Sequence, residues 1–436
     1  MKLLKNKFVI STIILMIGGF ITKLLGMFIR ILTTRVIGTE GLGIYMLIMP
    51  TFSLFMTIAQ LGFPVAISTL VANDSNNNKN LIFSSLPVSL GINMILMLII
   101  FLIAPFLAND LLKDPRTYFP LISIGFVLPF ISISSVIRGY FFGKQRMIPH
   151  TISHISEQVI RIIIMIIATP IFMQKGIIFT IVMIILMNIV SELLSIVILI
   201  FFLPKHTVIK KEDIIPQKKS IMDILEIGIP TTGSRLIGSL TYFFEPIILT
   251  FVLLKVGYPS SYIVFEYGIF SGYVLPLLMI PSFFTQAISS ALIPAVSKAY
   301  TQGHYQYVLG KLKQAIIFSL LIGIPVTISF LLMPSFFLKL VYNTTLGVTY
   351  LKILAPIFIL YYIQVPFTAL LQATNHATTA MNATLIGAII RTILLFVLSY
   401  LKIGMYGLLI ATATNIVIVT TLNYRSIRTI LKKQDR

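Results

Sequence analysis

Twelve apolar runs, each long enough to cross a bilayer, constrain this chain more than any other feature: 8–33, 42–72, 82–108, 118–140, 151–173, 177–203, 221–253, 262–294, 312–337, 349–373, 381–401 and 404–424. A hydrocarbon core of about 30 Å takes roughly 20 helical residues, and inside lipid only helices or closed barrels pair every backbone polar group. Runs of this length predict helices, so the sequence reads as an all-α polytopic membrane protein with about twelve transmembrane helices. Composition agrees: 57% of the 436 residues are hydrophobic, 11% are charged, and mean hydropathy is +0.99. Polar breaks such as Asn73 to Asn80 and Asn343-Thr344-Thr345 separate the runs.

The net charge of +20 would suggest nucleic acid in a soluble chain, but here the distribution of the cations carries the information, and no nucleic-acid partner is expected. With the N-terminus in the cytoplasm, twenty Lys and Arg fall in cytoplasmic segments and eight outside. Both termini are therefore expected in the cytoplasm, with the chain spanning a bacterial cell membrane among membrane lipids. Lys2, Lys5 and Lys7 precede an apolar run as in a signal peptide, but no small-residue cleavage site follows, so this run is read as the first spanning helix.

The longest connection, Pro204 to Ser220, is basic and has seventeen residues. It predicts an N-terminal six-helix lobe (1–203), a cytoplasmic linker (204–220) and a C-terminal six-helix lobe (221–436). Thr22-Lys23-Leu24-Leu25-Gly26 recurs as Ser234-Arg235-Leu236-Ile237-Gly238, 212 residues later, and the second and eighth helices are both overlong and proline-bearing. These echoes favour a parallel repeat of two lobes facing each other about an axis along the membrane normal.

Nine charges are read as embedded in the spans rather than set at their ends: Lys23, Arg30, Arg161, Arg235 and Arg391, with Glu157, Glu192, Glu245 and Glu266. A charge at bilayer depth costs at least about 2.5 kcal/mol on insertion scales, so it normally faces a bundle interior or an aqueous cavity. Lys23 and Arg30, seven apart, share one helix face. Glu157 and Arg161 are four apart, a spacing that allows an intrahelical pair, and Glu192 is a candidate partner for Lys23 or Arg161. If the glutamates neutralise some cations, Lys23, Arg30 and Arg235 remain for an anion, and phosphate or diphosphate suits them. Arg161 and Arg391 complete the expected central cationic cavity, while the four glutamates are candidates for ion coupling or for charge pairing.

Catalysis and metal binding lack support. There is no cysteine, no nucleophile elbow, no phosphate-binding loop and no extramembrane domain to hold an active site. His150 and His154 are four apart with Glu157 beyond, but no third ligand set lies near them, and interfacial histidines are the simpler explanation. No enzyme, cofactor or metal is expected.

The opening seventy residues carry a resemblance. Thr22 to Gly26, Thr33 to Tyr45, Pro50 and Gly62 to Ser68 resemble the stage V sporulation protein B type of polysaccharide-biosynthesis membrane proteins. That family belongs to the multidrug/oligosaccharidyl-lipid/polysaccharide (MOP) exporter superfamily, which includes lipid II flippases. The resemblance implies V-shaped lobes alternately open to the two sides of the membrane. It also implies export of an undecaprenyl-diphosphate-linked sugar, such as a peptidoglycan precursor, with Lys23 and Arg30 as cavity cations. Two departures stand against a lipid II flippase in particular: residues 43–71 hold no charge where those proteins carry an arginine, and twelve helices are expected here rather than fourteen. The expected function is a flippase for a lipid-linked glycan diphosphate. A MATE-type multidrug cation antiporter and a non-transporting scaffold are the alternatives, and coupling to Na+, H+ or membrane potential stays open.

Overall fold

The computed structural model describes residues 7–73, 78–203 and 217–434, and the expected 204–220 linker lies largely outside them. Fourteen α-helices are present among the described residues, and no strand. In chain order they are α1 (Lys7–Gln60), α2 (Phe63–Asn73), α3 (Asn78–Phe106), α4 (Tyr118–Gly143), α5 (Met147–Met173), α6 (Ile177–Phe201) and α7 (Lys218–Val256). They continue as α8 (Ser260–Gly268), α9 (Leu275–Thr301), α10 (Tyr305–Leu332), α11 (Pro334–Tyr342), α12 (Val348–Ala373), α13 (Ala377–Ser399) and α14 (Tyr406–Gln434). A π-helical turn at Ile269–Val274 joins α8 to α9.

Eleven of these stretches are long and apolar enough to cross a membrane. The first, Ile17–Ala72, has 56 residues, enough for the two crossings expected at 8–33 and 42–72. The other ten correspond one to one with the remaining runs. The chain is a multi-pass membrane protein of all-α class.

Where a turn was expected over Thr34 to Gly43, the helix breaks only at Gly38 (φ 63, ψ −173). A left-handed residue is almost free for glycine and strained for any residue with a Cβ, so one glycine replaces a loop. Just beyond the break, Glu40 is tied to Arg116, whose Nη1 donates to Glu40 Oε1 at 2.5 Å while Nε and Nη2 grip Asp114 at 2.9 and 2.7 Å.

The described residues fall into two units that divide between Phe243 and Phe244, inside α7. In the first, α4 is central, with α2, α3 and α6 packed on it, and α5 lies against α1 and α6. Close approach is bought with glycines spaced four apart. A Cβ on Gly143 would meet the Ser68 carbonyl oxygen and Val71 Cβ, each at 2.7 Å, and one on Gly139 would meet Pro64 Cα at 3.1 Å. Phe63, Ala66, Ile67, Val71, Leu81 and Val136 form the apolar core across that seam, together with Ile224 from the start of α7. The middle of α7 also reaches α1 through Thr57 and Ser239, whose hydroxyls lie 2.8 Å apart.

In the second unit, α12 packs against α9, α10 and α14, and α13 lies along α14. Its core gathers Val296, Val308, Leu312, Leu370, Leu371 and Ile427. The buried Tyr362 hydroxyl donates to the Leu278 carbonyl at 2.7 Å, so α12 and α9 share a hydrogen bond as well as apolar surface.

Candidate functional site

Each unit holds a buried charge cluster, and both are built around an arginine at the same helix position. Arg161 is the fifteenth residue of α5 and Arg391 the fifteenth of α13, 230 residues apart.

In the first unit, Arg161 Nη2 donates to Glu157 Oε1 at 2.5 Å, one turn earlier on α5, and its Nε donates to Ser191 Oγ at 2.9 Å. Glu192 Oε1 lies 3.9 Å from the same guanidinium. Arg138 on α4 completes the cluster, with Nη2 at 2.7 Å from Glu157 Oε2, 3.4 Å from Glu192 Oε2 and 2.8 Å from Ser195 Oγ. Glu157 and Glu192 are 3% and 1% exposed. Two guanidinium and two carboxylate groups therefore cancel inside a low-dielectric space, the arrangement in which buried charge is tolerated.

Arg138 belongs to this cluster although it is one of the twenty Lys and Arg counted above in cytoplasmic segments. The signal was present, because Arg138 falls inside the apolar run 118–140. Beside the cluster, the His150 and His154 rings stack edge-on at 4.6 Å, and His154 Nδ1 lies 3.7 Å from Glu157 Oε2. Among the described residues no three His, Cys, Asp or Glu side chains could hold a metal ion together.

In the second unit, Arg391 Nη2 is paired with Glu245 Oε2 and lies 3.4 Å from the Thr412 hydroxyl. Glu245 is 3% exposed and also accepts from the Tyr267 hydroxyl at 3.2 Å. Glu266 accepts from the Tyr350 hydroxyl at 2.5 Å.

The structure thus gathers Arg161, Glu157 and Glu192 in one cluster and Arg391 and Glu245 in another. Lys23 on α1 and Arg235 on α7 are exposed on their helices, and no carboxylate pairs with either among the described residues. Arg30 is half-buried, and Tyr45 stands within electrostatic range of both Arg30 and Arg161. These residues sit where α1 runs along α5: the Thr33 hydroxyl reaches Met165 Sδ at 3.7 Å, and Gly18 faces Thr151 too closely for a side chain.

Comparison with known proteins gives this arrangement a class. A solved structure described as the inward-facing conformation of a multidrug resistance MATE family transporter of the MOP superfamily superposes with a TM-score of 0.73 over 95% of each chain, at 16% identity. A family model described as MatE matches residues 270–397. Stage V sporulation protein B of Bacillus subtilis (strain 168) is 38% identical over 98% of this chain and 85% of its own length. Lipid II flippase MurJ of the same organism is 24% identical over 90% of this chain and 77% of its own. The chain shares the fold of that MATE family transporter. A family model described as Polysaccharide biosynthesis protein matches residues 8–300, and the chain belongs to that family.

Proposed function

We propose that the protein is a flippase that carries an undecaprenyl-diphosphate-linked oligosaccharide or peptidoglycan precursor from the inner to the outer leaflet by alternating access. Its product would serve cell wall, spore cortex or surface polysaccharide synthesis. Both termini are placed in the cytoplasm, and 204–220 is taken as the linker between six helices and six.

The observation that carries this function is the division among the in-span cations. Arg161 and Arg391 are neutralised by buried glutamates, whereas Lys23 and Arg235 lie exposed in apolar helices without a carboxylate partner among the described residues. Unmatched ammonium and guanidinium groups at such positions suit an anionic visitor, and a diphosphate is bound by such cations without catalytic partners. Lys23 and Arg235 are therefore assigned to the diphosphate, together with Arg30, two helical turns from Lys23 on α1. Arg161 and Arg391 are assigned to holding each unit's interior around the path. The name of the lipid II flippase relative supports the same substrate class.

A multidrug cation antiporter would need an embedded carboxylate free of cations in its N-terminal lobe. Glu157 and Glu192 are both held by arginine, which disfavours that function.

The test is the accessibility of labelled lipid-linked precursor at the outer leaflet of cells that depend on this protein. The Lys23→Ala/Arg235→Ala double variant should reach the membrane in normal amount yet lose outer-leaflet labelling. Full labelling by that variant would refute the assignment, and drug resistance conferred by the native chain would favour the antiporter.

A further inference from the structure

From Tyr267 to Gln434 the chain carries eleven Lys and Arg and not one Asp or Glu. Arg391 is balanced by Glu245, which precedes that stretch. The end of the second unit where α10 begins and α14 finishes is different. Lys311, Lys313, Arg425 and Arg428 gather there, and the sequence continues with Lys432 and Lys433.

Packing brings these cations to one place. Val308 and Leu312 of α10 share an apolar cluster with Ile427 and Leu431 of α14, around Leu370 and Leu371 at the end of α12. Each flanking helix buries its apolar side in that cluster and turns its charge outward: Lys313, Arg425 and Arg428 are exposed, and Lys311 is half-buried. The outward side is not purely polar, because Tyr307, Leu309 and Tyr424 are exposed among the cations. Lys311 Nζ stands 5.4 Å from the centre of the Tyr307 ring and donates to Gln314 Oε1 at 3.1 Å.

Depth decides what meets this surface. The apolar run of α10 starts at 312 and that of α14 ends at 424, whereas the helices themselves extend to Tyr305 and Gln434. Both therefore continue by two turns or more past the hydrocarbon into the headgroup layer, where tyrosine and basic side chains are at home. We propose that this end of the second unit binds the phosphate groups of anionic phospholipids. A cluster of four or more Lys and Arg just beyond a membrane helix attracts such lipids, and charge complementarity has no source in the acid-free stretch itself. Only the choice of leaflet rests on the cytoplasmic C-terminus proposed above; the binding does not.

The chain has no cysteine, so Thr429→Cys, at an exposed position on α14, can carry a single fluorophore. The labelled protein is reconstituted in phosphatidylcholine vesicles doped with nitroxide-labelled phosphatidylglycerol or, at the same content, nitroxide-labelled phosphatidylcholine. Quenching should be stronger with phosphatidylglycerol, and the difference should shrink as salt shortens the screening length. Arg425→Gln/Arg428→Gln should lower the preference by about fivefold for each cation removed, until none is left. Lys339→Gln/Lys352→Gln removes two exposed cations from the opposite end of the same unit and should leave the preference at Thr429→Cys unchanged.

If Arg425→Gln/Arg428→Gln fails to fold, Lys311→Gln/Lys313→Gln decides the matter, read from a label at Leu309→Cys on α10, which is also exposed. Equal quenching by the two lipids without the charge substitutions would overturn the proposal, as would a preference that survives in the deciding variant. Loss of the preference on adding inorganic phosphate at constant ionic strength would assign the surface to a soluble anion and overturn it too. The vesicles hold both lipids in both leaflets and no glycan lipid, so the result is separate from orientation and from the outer-leaflet labelling that tests the flippase.

Discussion

Breaking the Arg391–Glu245 pair should damage the second unit far more than removing both partners. Glu245 is 3% exposed, and its neutral donor, the Tyr267 hydroxyl, is a long 3.2 Å away. Arg391→Met leaves that carboxylate without its counter-charge in a low-dielectric interior, a situation that costs about 3–5 kcal/mol. At about 2 °C per kcal/mol for a unit of this size, the unfolding midpoint should fall by about 6–10 °C. Glu245→Gln should also destabilise, by less, because Arg391 keeps its contact with Thr412 and is not fully enclosed. The double variant Glu245→Gln/Arg391→Met should recover most of the loss, since replacing a buried pair by neutral groups of similar volume is often close to neutral. Thermal unfolding in one detergent, followed by the surviving monodisperse fraction, measures the full cycle. Simple addition of the two single losses in the double variant would refute the coupling, and with it the role given to the pair.

Two further outcomes follow from backbone geometry. Gly143→Leu on α4 should reduce folded protein in the membrane and lower the midpoint, because its first carbon already meets the Ser68 carbonyl at 2.7 Å; overpacking of this kind costs about 1–3 kcal/mol, and an unchanged midpoint would contradict the α2–α4 seam. Gly38→Ala has open space for its methyl group, so its penalty of about 1–3 kcal/mol should come from the backbone alone, at a φ/ψ that essentially only glycine adopts, and Gly38→Asn should lose as much in the same assay.

Much of the fold was legible because membrane helices are specified locally. Roughly twenty apolar residues are both the signal and the structure, so the ten spans after α2 lie where the runs predict them. The bend between the first two crossings was legible only as a polar stretch, since nothing in Thr34 to Gly43 says that Gly38 alone will carry the break. Spacing also gave the Glu157–Arg161 pair, because residues four apart on a helix are neighbours by geometry. It could not give Glu245 with Arg391, which lie 146 residues apart on different helices. Arg138 was missed for a related reason: a cation near the end of an apolar run reads as an interfacial charge until the fold brings Glu157 and Glu192 against it.

The shared register of Arg161 and Arg391 bears on how such a chain arose. If the halves descend from one duplicated ancestor, that ancestor already possessed an interior guanidinium on its fifth helix, and each descendant copy recruited its own counter-ion. One copy found it a single turn away on the same helix, the other on a distant segment. On that descent the acidic partner would have changed position while the base stayed in place, and the arginines would be the marks by which to align the halves.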